Sequence, residues 1–85
     1  MQDLIELEQK ESELDTFIHR FFHFKAALNE IFSRYRVEKS DEIEKLIESD
    51  QIEEHPAYED FLEAAGYEAE ISQLHEKLTL ELQKL

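Results

Sequence analysis

Cysteine is missing from this 85-residue chain, and glycine and proline occur once each, as Gly66 and Pro56. Without cysteine there is no disulfide and no thiolate metal site. So few glycines and prolines leave few positions at which regular structure can break. A multi-stranded β protein of this length needs several turns, so an all-α fold is expected. No apolar run approaches the ~20 residues of a membrane-spanning helix. The opening Met1-Gln2-Asp3 carries an acid where a secretory leader carries basic residues. These absences point away from a membrane and toward a cytoplasmic address.

Several chemical signatures are missing too: the EF-hand spacing, the phosphate-binding and dinucleotide glycines, Gly-x-Ser-x-Gly, and the Glu-x-x-His of di-iron bundles. No catalytic residue and no cofactor are expected, and the chain reads as non-enzymatic. Asp15, His19 and His23 share one helical stripe at a spacing that can hold zinc or nickel. Their register turns them to solvent, so they are expected to flank an apolar cluster rather than bind metal. His55, beside Pro56, reads as a cap or loop residue. His75 reads as the edge of a Leu74/Leu78 stripe.

What is plentiful is charge and helix-forming sequence. Leu, Glu, Lys, Gln and Ala dominate, all good helix formers. The net charge is −13, which disfavours nucleic acid and anionic lipid as partners. The charge is uneven. Residues 1–16 carry net −5, residues 17–39 net +3, and residues 40–85 net −11. The basic stretch is expected to face the acidic second half.

With Leu4 as heptad position a, the d positions are Leu7, Leu14, Phe21, Leu28 and Tyr35. The a positions are Leu4, Glu11, Ile18, Lys25 and Phe32, and the g positions add Phe17, Phe24 and Ile31. A narrow seam near Leu4 and Leu7 thus widens in the middle to an apolar face of ~180° once Phe22 is included. A face that wide needs more than one neighbouring helix. Glu11 and Lys25 would be costly inside a two-stranded coiled coil. A bundle is therefore expected.

The predicted elements are a long helix at about 3–37, a short one at about 41–48 and a second long one at about 57–83. Ser40 is the predicted N-cap of the short helix, with Asp41 and Glu42 in its first turn. Asp50 and Glu53 have the spacing of another helix start. His55 is expected to leave helical geometry because proline follows it. On the third helix, Tyr58, Phe61, Leu62 and Ala65 form one predicted face, continued by Ile71, Leu74, Leu78, Leu82 and Leu85. The helix is expected to run through Gly66, with a bend allowed there.

The whole chain, 1–85, is one domain: an antiparallel helical hairpin. A domain this small buries a modest share of its surface. Dimerisation, or a higher homo-oligomer, is expected to complete the bundle. The expected function is protein–protein interaction, as an adaptor, regulator or chaperone-like subunit. It would act through Phe17, Phe21, Phe22, Phe24, Leu28 and Phe32. The alternative is an acidic inhibitor, immunity-type or nucleic-acid-mimic protein that offers the carboxylates of 41–63 to a basic site.

Overall fold

The computed structural model describes the backbone of residues 2–84 and the side chains of residues 13–84. The seam residues Leu4, Leu7 and Glu11 lie outside the described side chains, and Leu85 lies outside the described residues. The chain is all-helical: α1 (Gln2–Tyr35), α2 (Ser40–Glu48) and α3 (Glu54–Gln83). No described helix is long and apolar enough to cross a membrane.

Every element falls within three residues of its predicted bounds. α1 and α3 pack antiparallel. Arg20 pairs with Glu70 at 3.7 Å and Arg34 with Asp60 at 3.3 Å, while the Phe24 and Tyr67 rings lie 5.7 Å apart between them. The basic middle of α1 does meet the acidic second half. The hairpin measures 63 × 17 × 16 Å.

α3 passes through Gly66 without leaving helical geometry. The departure inside it is at His55, with φ −112° and ψ 132°, the extended geometry that a following proline favours. The His55–Pro56 peptide is cis.

The helix ends use a device that the sequence did not announce. Arg36 and Asp50 take positive φ, 55° and 57°. In each case the next residue's N–H reaches back five residues: Val37 to the Phe32 carbonyl at 3.1 Å, and Gln51 to the Leu46 carbonyl at 3.0 Å. These are Schellman-type stops, built without glycine. Asp50 therefore ends α2 and does not start a new turn.

The start of α2 also departs from expectation. Lys39, not Ser40, is the N-cap. The Glu42 carboxylate accepts the backbone N–H groups of Glu38 at 2.6 Å and Lys39 at 3.0 Å. Those two bonds hold the Glu42 carboxyl below its ordinary pKa. Ser40 is instead buried, and its N–H and hydroxyl both donate to Glu68 on α3. Ser40 thus anchors α2 fourteen residues into α3. The five residues 49–53 return the chain from the end of α2 to the start of α3. α2 therefore lies antiparallel to the first half of α3.

The core sits in this three-helix half. Leu28, Ile31, Ile43, Ala57 and Ala64 form it, with Phe32, Tyr35, Ile47 and Phe61 packed against them. Ala57 and Ala64 present almost no side chain, so α1 and α2 can both approach α3 closely. The predicted face of Tyr58, Phe61, Leu62 and Ala65 is corrected accordingly. Tyr58 and Leu62 are exposed, because the inner side of α3 is set by Ala57, Asp60 and Ala64.

Candidate functional site

α2 covers α3 as far as Glu68. Past that residue α3 has α1 on one side and open space on the other, and a groove of about 950 Å³ lies there. Phe21, Leu28, Phe32 and Ile71 supply its apolar lining, and Val37 of the α1–α2 connection adds to it. Lys25 of α1 and Arg36 of the α1–α2 connection bring positive charge, Glu38 of that connection brings a carboxylate, and Ser72, His75 and Glu68 bring polar groups from α3. α2 contributes no lining residue.

Sequence periodicity explains why α1 offers these side chains. Phe21, Leu28 and Phe32 sit at spacings of seven and four, so they share one side of the helix. Ile18, Phe22 and Lys25 continue that side at i, i+4 and i+7. Ile18 is 42% and Phe22 64% exposed. The Phe22 ring meets the Phe21 ring edge-on, with centroids 5.9 Å apart. The apolar lining therefore extends onto the outer wall of α1.

The six predicted interaction residues divide into four placements. Phe21, Leu28 and Phe32 line the groove, although Leu28 is also a buried core residue. Phe22 is exposed beside it. Phe24 turns toward α3, where it packs on Tyr67, with the Arg20 guanidinium 6.0 Å from its centroid. Phe17, one heptad before Phe24, is half-buried and is not a groove residue. Asp15, His19 and His23 are all exposed. No group of three metal-ligating side chains occurs among the described residues. His75, expected at the edge of the Leu74/Leu78 stripe, is exposed and lines the groove.

The sequence reading missed two polar clusters that frame this region. Asp60, 9% exposed, accepts a hydrogen bond from the Tyr35 hydroxyl and another from Arg34 at 3.3 Å. Burial, and then the Asp60 bond and charge, push the Tyr35 hydroxyl up to about 12. The second cluster is Ser40 with Glu68. The available signal for Asp60 was its place at i+3 from Ala57 and i−4 from Ala64, a carboxylate in line with two small inner residues.

Residues 9–84 match the family model described as Uncharacterized protein MJ0235 family. The chain belongs to the MJ0235 family. Nothing among curated proteins and nothing among solved structures matches it. The span shared with the MJ0235 family holds every groove residue, the α2 anchor and the Asp60 cluster.

Proposed function

We propose that this MJ0235-family chain is a non-enzymatic protein-binding module that acts through the groove and the aromatic wall of α1. One observation carries the reading. An apolar groove rimmed by Lys25, Arg36, Glu38 and Glu68 runs on from the crevice that α2 already fills, and large apolar side chains stand exposed along its wall. Monomers seldom leave a continuous apolar surface of this kind unused, and aromatic side chains concentrate at interface centres.

The test is a photo-cross-linking amino acid at Phe21, with a second chain carrying it at the outward Leu62. Adducts to a polypeptide from position 21, absent from position 62, are the expected result in cells that express the chain. Equal adducts from both positions, or no polypeptide adduct from position 21, would end the proposal.

A second reading has its own support. Asp41, Glu44, Glu48, Asp50, Glu53 and Glu54 are all exposed, so α2, its return loop and the start of α3 present carboxylates to solvent. This suits an acidic inhibitor or nucleic-acid mimic docked on a basic site. Salt separates the two: carboxylate docking weakens steeply as ionic strength rises, and apolar docking does not.

A further inference from the structure

Resting on the groove reading, we propose that the occupant is a second copy of this chain, docked antiparallel so that α1 pairs with α1 across a two-fold axis near Ile18–Phe22. Three observations lead there.

The first is area. The chain exposes 6658 Å² at 10.2 kDa. A folded monomer of that mass ordinarily exposes about 5,300 Å², an excess of about 1,300 Å². A standard interface takes about 800 Å² from each partner. The excess comes from the length of the hairpin, and a copy laid along it removes such surface.

The second is the position of α2. It fills the crevice at one end of the hairpin only. Two hairpins laid crevice to crevice in parallel would bring their α2 helices together. Laid antiparallel, they put the α2 helices at opposite ends and let the bare halves meet. The middle becomes four helices, α1 and α3 from each copy, which is the usual way to close a wide apolar face. In this arrangement α1 lies against α1 and α3 against α3.

The third is charge register. Antiparallel pairing about a point midway between Ile18 and Phe22 sets residue n opposite residue 40 − n. Ile18 then meets Phe22 of the other copy, twice over by symmetry, which joins the two exposed apolar residues of this wall. Lys25 meets Asp15, and both are exposed in the single chain. A parallel α1–α1 pairing would set Lys25 over Lys25 and Asp15 over Asp15.

Sedimentation equilibrium of the full chain reads the outcome. The expected species has twice the 10.2 kDa chain mass. Phe22→Glu should raise the dissociation constant at least about 30-fold, as truncation of an interface centre does, with the helical circular dichroism unchanged because Phe22 is exposed. Ile18→Glu is the second apolar probe, and Leu62→Glu on the outward face should change nothing. Lys25→Glu and Asp15→Lys should each weaken the dimer, and the two together in one chain should restore it. Rising salt should favour association of the apolar seam by screening the −13 of each chain.

A wild-type chain that stays monomeric at high concentration overturns the dimer, as does a dimer indifferent to both glutamate variants. A charge swap without rescue overturns the register. A monomer whose position 21 still cross-links to a different protein would sink the dimer and keep the binding function. Absence of any adduct would sink both.

Discussion

The two ends of the hairpin share a design and differ in one component. At the closed end α2 lies over the crevice, and Leu28, Ile31, Ile43, Ala57 and Ala64 are buried there together with Ser40 and Asp60. In the open arm Leu74 is the buried apolar residue among those described, while Ile18, Phe22, Leu80 and Leu82 stand exposed. Both ends are built of α-helix, and the departure inside α3 at His55 lies at the closed end. Regular helix therefore does not make a core: a third element does, by excluding water from the side that two helices leave open. Nine residues of α2 convert half of a hairpin into a small bundle, and the other half keeps the surface on which the proposed function rests.

The sharpest way to break this comparison is to damage the closed end. Ile43, on the inner side of α2, is fully buried, so Ile43→Ala should cost about 3 kcal/mol of unfolding free energy. In the monomeric state Phe22→Ala in the arm should cost less than about 0.5 kcal/mol. Urea titrations of the two variants check both values, and similar costs would erase the distinction. Next in size is Asp60→Ala, at about 2 kcal/mol, because the Tyr35 hydroxyl and Arg34 lose a buried acceptor. Adding Tyr35→Phe should recover part of that loss in a double-mutant cycle, since the orphaned hydroxyl is then gone.

Gly66 lies two residues before the Glu68 anchor, where the covered half gives way to the arm. A Cβ there would meet nothing within 4 Å, so Gly66→Ala should stabilise the chain by about 1 kcal/mol in thermal or urea unfolding. A loss would mean that α3 bends at this point in solution.

The smallest effect concerns pH. The Tyr35 hydroxyl is held up at about 12 in the fold against an ordinary 10.0. The protonated form therefore favours folding. Its contribution is complete below pH 10 and is lost as pH rises toward 12. Denaturant midpoints measured across that range should fall, and Tyr35→Phe should flatten the fall. The effect is small because Tyr35 keeps contact with water.

The architecture was readable because its signals are local. Scarce glycine and proline, a helix-forming alphabet and a phenylalanine-rich heptad register placed α1, α2 and α3 within three residues of where they lie. His55 followed from Pro56 alone. The division of the phenylalanines was not readable. Phe21, Phe22 and Phe24 lie within four residues, and the angle between α1 and its neighbours decides which of them faces α3, the groove or solvent. The helix stops were hidden for a related reason. Arg36 and Asp50 adopt a backbone geometry that their side chains disfavour, and the hydrogen bonds from Val37 to the Phe32 carbonyl and from Gln51 to the Leu46 carbonyl close the two turns around it.

By itself, then, the sequence determined the helical class, the three elements, the wide apolar face of α1 and the charge division that opposes residues 17–39 to the rest. These are properties of neighbours three, four and seven positions apart, which periodicity records. The tertiary structure alone decided that Ser40 would leave its capping role to anchor α2 on Glu68, that Asp60 would turn inward to Tyr35, and that the groove would open where α2 begins. Each of these joins residues some twenty-five or more positions apart, and no local pattern encodes which distant partner a side chain will meet once the helices have packed.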